Sequence, residues 1–188
     1  MFNLKQFISD CQDAVQQPEP QLLIKELVQE AISDPAALRE AFSPTDKAKS
    51  LRDAVAFKSE FLTILDVVTP PGMRTPAHDH QMWAVIGVYE GEEPNEFFVV
   101  DENGLKKKSD KVLKEGDVAV LNGKTIHAIS NTLGKKCYAI HVYGGDIVNQ
   151  SGRSMWNPKT LAREPYDIDK LGVYIKEMRV RPSSDSTV

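Results

Sequence analysis

The chain is predicted to be mainly β, a sandwich or barrel preceded by a helical extension, and three observations in its 188 residues lead there. The first forty-odd residues carry apolar side chains at three- and four-residue spacing, the period of an amphipathic helix. From about Leu62 that period gives way to short runs rich in Val, Ile and aromatic residues. Clusters of Gly, Pro, Asn and Asp separate those runs, and many short strands with turns between them make a sandwich or a barrel.

The helices come first. Leu4, Phe7, Ile8, Cys11, Ala14 and Val15 fall on one stripe, and Pro18 and Pro20 end it. Leu23, Leu27, Val28, Ala31 and Ile32 repeat the pattern, and Asp34-Pro35 supplies a cap and a first-turn proline for a third helix through Phe42. Strands are expected at Phe61–Val68, Met82–Tyr89, Phe97–Asp101, Asp117–Leu121 and Cys137–Tyr143. The loops between them are Pro70-Pro71-Gly72, Glu90-Gly91-Glu92-Glu93-Pro94-Asn95, Glu102-Asn103-Gly104 and Gly144-Gly145-Asp146. Lys106-Lys107-Lys108 reads as a solvated face. Residues 1–50 are therefore assigned to a helical extension packed on the barrel, 51–180 to the barrel, and 181–188 to a polar, frayed tail.

Composition narrows the function classes. A net charge of −4 removes the broad attraction that a nucleic-acid or anionic-membrane binder relies on, so the expected partners are small molecules. The first residues lack the unbroken apolar run of a signal peptide, and no stretch reaches the ~18 apolar residues of a membrane helix. Cys11 and Cys137 cannot build a disulfide framework, which suits a reducing, cytoplasmic setting.

The four histidines, His78, His80, His127 and His141, all lie in the second half. His78 and His80 are two apart, so on an extended segment both imidazoles project to one face as a ready pair of metal ligands. Gly72 precedes them by five intervening residues, and Gly91 follows after a strand-length interval. Downstream come Gly116, Gly123, His127 and Asn131. These two segments resemble the paired motifs of the cupin superfamily. That resemblance implies a double-stranded β-helix, a jelly-roll barrel, holding one metal through His78, His80 and His127. Where most cupins place a glutamate ligand, this chain has Ala84 and Val85. Three neutral imidazoles leave a divalent ion its full charge, which favours an anionic chelating substrate, and they leave open positions for it and for dioxygen.

Within that superfamily the chain resembles the thiol dioxygenases, and the resemblance runs from about Leu62 to Trp156. It is carried by Thr75-Pro-Ala-His78-Asp-His80-Gln-Met-Trp83 and by Ile140-His141-Val-Tyr143-Gly144 with Arg153-Ser154 and Trp156 after it. It implies Fe(II) as cofactor and a hydrogen-bonded relay of serine, histidine and tyrosine on one strand. His141 and Tyr143 match that relay, and Ala139 stands in place of the serine, so His141 needs another partner for its second nitrogen. Tyr143 is positioned to donate to a bound ligand, with His141 orienting it. Val85 aligns with the cysteine that cross-links to the tyrosine in mammalian relatives, so no thioether is expected, and Cys137 is not expected to be catalytic.

A substrate carboxylate calls for an arginine. Arg153 is favoured over Arg52 and Arg74, with a surface pairing to Asp146 or Glu164 as its bland alternative. Trp83 is either a pocket wall or a core packer. Asn131 is read as holding a loop and Asp79 as pointing out of the pocket. The leading expectation is an iron-dependent dioxygenase oxidising a small mercapto-acid to its sulfinic acid. The alternatives are a three-histidine cupin cleaving a carbon–carbon bond of a diketone-like chelator and a non-catalytic metal-binding cupin.

Overall fold

The computed structural model describes residues 2–42 and 53–180. Arg52 and the 181–188 tail lie outside the described residues, as does the boundary at 50–51.

Three helices open the chain: α1 (Leu4–Ala14), α2 (Pro20–Ala31) and α3 (Pro35–Ala41). Asn3 caps α1 by accepting from the Gln6 amide at 3.1 Å, and Asp34 caps α3 by accepting from Ala37 at 3.2 Å. Helices this short are marginal alone in water, so their packing face holds them. Phe7, Cys11, Ile24, Val28, Leu38 and Phe42 are buried against Ile64, Val85, Tyr89, Tyr138, Ile140 and Val142 of a sheet. Each such aliphatic or aromatic burial contributes about 1.5–3 kcal/mol. Gly87 marks the closest approach, since a Cβ there would stand 2.4 Å from Cγ1 of Val28. On α2 the inward residue is Ile24, fully buried, while Leu23 of the expected stripe is 38% exposed.

The strands follow as β1 (Val55–Lys58), β2 (Thr63–Thr69), β3 (His78–Asp79), β4 (Ala84–Glu90), β5 (Glu92–Asp101) and β6 (Gly104–Lys114). Then come β7 (Val118–Leu121), β8 (Ile126–Ile129), β9 (Cys137–Tyr143), β10 (Ser154–Trp156) and β11 (Arg163–Pro165). A last helix, α4 (Ile168–Met178), is capped by Asp167 and lies inside the stretch assigned to the barrel. Two sheets form, β1-β2-β9-β4-β7 and β11-β10-β3-β8-β5-β6, and every pairing is antiparallel. If β2 to β9 are numbered one to eight, the orders are 1-8-3-6 and 2-7-4-5, which is the eight-stranded jelly roll. The fold is thus mainly β with a few helices, as expected.

Strand alternation separates two cores. On β4 and β9, Val85, Tyr89, Tyr138, Ile140 and Val142 face the helices, while Ala84, Ile86, Val88, Ala139 and Tyr143 face the other sheet, with Leu113 and Phe97 among them. No helix among the described residues is long and apolar enough to cross a membrane.

Two stretches depart from expectation. Glu92–Asn95, read as a loop, is the first half of β5, paired with β6 from Glu92↔Lys114 onward. Its Glu-Glu-Pro-Asn composition has poor strand propensity, but pairing overrides it. Pro94 is tolerated because β8 ends at Ile129, and the Pro94 carbonyl there accepts from Ser130. Lys106–Lys108 belongs to the long β6 at the end of its sheet, where exposed lysines suit an edge. Lys106 pairs with Asp101 at 2.7 Å, and Lys107 pairs with Glu96 and Asp110 at 2.8 Å each.

Candidate metal centre

The β3–β8 ladder places His78 directly opposite His127, and His80 follows β3 by one residue. Gln81 then adopts a left-handed backbone (φ 58°), turning the chain out of this sheet towards β4 of the other. The three rings converge, with centroids 4.8–5.2 Å apart and one nitrogen of each within 4.8 Å of the others. Nε2 of His127 is 3.4 Å from Nε2 of His80. Two nitrogens each about 2.1 Å from one ion stand at most about 4.2 Å apart, so this pair fits a shared metal.

Hydrogen bonds leave the lone pairs available. Nδ1 of His78 donates to the Pro76 carbonyl at 3.0 Å, and Nδ1 of His127 faces Oδ1 of Asn95 at 2.8 Å, so both Nε2 atoms are bare. Burial, with the nearby Arg153 charge, lowers the pKa of His78 from 6.5 to about 4. Burial and then the neighbouring histidines hold His80 and His127 well below the usual range. All three are neutral near pH 7, as ligation requires. A donor set of three imidazoles suits iron, zinc, copper or nickel. The residues present therefore fit a divalent transition-metal ion.

Arg153 lies beside this group. It is 6% exposed, donates from Nε to the Asp79 carbonyl at 3.1 Å and from Nη1 to the Ile147 carbonyl at 3.0 Å, and its guanidinium lies 3.5 Å from the ring centre of Tyr166. The surface alternatives do not hold it: Asp146 pairs with Lys58 and Glu164 with Lys170. Among the described residues no carboxylate lies within ion-pair distance of Arg153. Asp79 is turned away from the three histidines, accepting from the Ser154 amide at 2.8 Å and from Gln81 at 3.0 Å, and so anchors β3 to β10.

From the facing sheet, β9 contributes His141 and Tyr143. The Tyr143 ring meets His80 edge-on at 5.1 Å, and its hydroxyl is 3.1 Å from Nδ1 of His141. Burial pushes the Tyr143 pKa up, so the hydroxyl keeps its proton. Ala139 lies on the same side of the strand. The other nitrogen of His141, Nε2, faces Oε2 of Glu93 at 3.5 Å, so a β5 carboxylate is the neighbour that the Ala139 side chain cannot provide. Glu93 and Asn95 were not anticipated, because their segment has the composition of a turn. Tyr166, 6.3 Å from His78 between ring centres, was not anticipated either.

The remaining candidates lie elsewhere. Trp83 faces the helices with the outer cluster, one residue out of phase with Met82 and Ala84, and it covers Gly144, where a Cβ would meet the indole at 2.2 Å. It is a packing residue of the outer face and does not line the space beside the histidines. Arg74 pairs with Glu96 at 3.1 Å at the surface. Cys137 is buried in the inner core, its thiol pushed up by burial. Asn131 donates to the carbonyls of Thr69 and Lys135 and accepts from Leu133, holding its loop.

No family model matches the chain. Among solved structures it is similar to a cupin-family protein with a double-stranded β-helix fold from Methanocaldococcus jannaschii, at 16% identity and a TM-score of 0.41, covering 49% of this chain and 77% of that one. It is also similar to a chain from the crystal structures of DMSP lyases, at 17% identity and a TM-score of 0.40, covering 51% of this chain and 44% of that one. Bacillus subtilis oxalate decarboxylase matches at 14% identity and a TM-score of 0.41, covering 52% of this chain and 24% of that one. The chain thus spans less than half of the DMSP lyase chain and about a quarter of the decarboxylase.

Proposed function

We propose that this chain is an iron(II)-dependent thiol dioxygenase acting on a small mercapto-acid such as 3-mercaptopropionate or cysteine. The observation that carries this reading is the pairing of a carboxylate-free group of three neutral histidines with the buried guanidinium of Arg153, which has no acidic partner among the described residues. A buried charge whose neighbours among the described residues are two main-chain carbonyls and the Tyr166 ring lacks a counter-ion, and a substrate carboxylate would supply it. The thiolate at the other end of the same molecule supplies the negative charge that the imidazole ligands lack.

When bound by His78, His80 and His127, ferrous iron supplies the redox chemistry that lets dioxygen react with a thiolate. The overall reaction balances as RSH + O2 giving RSO2H, with both oxygen atoms passing to sulfur. Arg153 holds the carboxylate through its remaining N–H groups and fixes the direction of the chain between carboxylate and sulfur. Tyr166 holds the guanidinium over its ring and limits where it can point. Tyr143 and His141 place a hydrogen-bonding hydroxyl beside His80, where the reacting groups gather.

The test loads the protein with iron, verifies occupancy by metal analysis, and measures oxygen uptake and sulfinate formation with mercapto-acids and with thiols lacking a carboxylate. Sulfinate is expected from the mercapto-acids. Arg153→Met should raise KM for them about 10- to 100-fold, corresponding to the ~1.5–3 kcal/mol of a charge-assisted hydrogen bond, while iron content stays the same. Full iron occupancy with no sulfinate from any thiol overturns the proposal. Oxygen uptake with a diketone and no sulfinate would point to carbon–carbon cleavage instead.

A further inference from the structure

A continuous line of buried polar atoms connects the metal group with Tyr143, and its direction can be read atom by atom. Asn95 is 1% exposed, and its Nδ2 lies 3.2 Å from the carbonyl oxygen of Glu93 and 3.0 Å from Oε1 of the same residue. A main-chain carbonyl can only accept, so this end of the amide is the NH2. The other end, Oδ1, therefore faces His127, whose Nδ1 must carry the hydrogen. Nε2 of His127 is left bare towards His80.

The line continues through the second carboxylate oxygen. Oε2 of Glu93 and Nε2 of His141 are both buried with no hydrogen-bond partner among the described residues, and they face each other at 3.5 Å. A carboxylate oxygen accepts, so the hydrogen of His141 belongs on Nε2. Nδ1 of His141 is then an acceptor, and the group 3.1 Å from it is the Tyr143 hydroxyl. That hydroxyl must donate inward to His141, and it presents an oxygen lone pair to the space beside His80.

We infer that Glu93 is a positioning residue: by accepting at both carboxylate oxygens it imposes the Nε2–H tautomer on His141 and turns the Tyr143 oxygen outward as a hydrogen-bond acceptor. An arriving thiol S–H would meet an acceptor there, the reverse of the donating tyrosine expected from the sequence. The arriving thiol rests on the proposed function, whereas the tautomer follows from Glu93 and Asn95 and does not depend on which substrate the site takes.

Glutamine at position 93 sharpens the argument. Asn95 is pinned by the main-chain carbonyl of residue 93, so the glutamine must turn its oxygen to Asn95 and its NH2 to His141. His141 would then carry its hydrogen on Nδ1, and Tyr143 would become the acceptor of that pair. The His127 end is untouched, so metal binding should not change.

With only four histidines in the chain, the tautomers are accessible by nitrogen NMR of zinc-loaded protein labelled with 15N-histidine. In the wild-type protein the inference requires a pyrrole-type Nε2 and a pyridine-type Nδ1 on His141. In Glu93→Gln it requires those two signals to exchange type, with unchanged zinc stoichiometry and unchanged zinc coordination at His127. A wild-type His141 with its hydrogen on Nδ1, or on both nitrogens, overturns the inference whether or not the variant folds. So does a variant in which the tautomer stays as it was. Failure of the sulfinate assay would leave these signals unaffected, and a zinc-free His127 would be recorded separately by its own resonance.

Discussion

Glu93 and Asp66 are both fully buried carboxylates on strands of the same barrel, yet their surroundings differ. Asp66 faces the helices. It accepts from the Tyr89 hydroxyl, and Arg39 of α3 reaches the same hydroxyl while its guanidinium lies 3.6 Å from the ring centre of Tyr138. The cluster ties α3 to the outer face of the sheet, and burial next to Asp66 keeps Tyr89 protonated. Glu93 faces the interior, where its neighbours are His141 and Asn95, the asparagine that holds a candidate ligand. A buried acid surrounded by structural donors serves the fold, whereas one aimed at titratable rings beside a metal group orients a site.

Breaking each side of this comparison should give different losses. The largest belongs to the interior. His127→Ala should lower cobalt(II) or iron(II) affinity by more than about 100-fold, beyond the 10- to 100-fold typical of losing a group that only supports a ligand. Metal titration of folded variant protein measures this, and retained affinity would show that the histidines do not share an ion. On the outer face, Asp66→Ala should cost about 1–3 kcal/mol of stability in urea unfolding, because the Tyr89 hydroxyl loses its buried acceptor. Iron content and kcat/KM of the folded protein should not move, and a loss of turnover at full iron would erase the distinction drawn between the two acids.

A pH dependence confined to the interior separates the two sides as well. His78 titrates near 4 when folded and near 6.5 when free of the fold, so between those values the unfolded chain binds more protons. Stability of the metal-free protein is therefore complete above about pH 6.5 and falls as pH drops towards 4. Thermal unfolding across that range should show a shallower slope in His78→Gln than in wild type. An equal slope in the two would assign the dependence to other groups.

Much of the candidate site is legible before folding because its three histidines are set by local spacing. His78 and His80 are held by a two-residue strand period, and His127 sits in a glycine-bounded segment whose strand is short and regular. Glu93 and Asn95 are invisible at that level, since Glu-Gly-Glu-Glu-Pro-Asn has the composition of a turn and becomes strand only by pairing with β6 and β8. Trp83 was open between pocket and core because strand alternation tells which residues share a face and not which face is inside. Arg153 shows the same limit: its sequence context allows a surface ion pair, and only the packing of β10, Asp79 and Tyr166 around it buries the charge.

By itself the amino-acid sequence determined the helical opening, the β character from Leu62 onward, and three histidines at spacings that favour one metal, because helix stripes, strand runs and ligand pairs are properties of neighbouring residues. Tertiary structure alone decided which face of each strand became the interior, brought Glu93 across from β5 to His141 on β9, and left Arg153 without an acidic partner among the described residues. Those outcomes depend on the register between strands far apart in the chain. A shift of one residue in that register would send the same side chains to the opposite face.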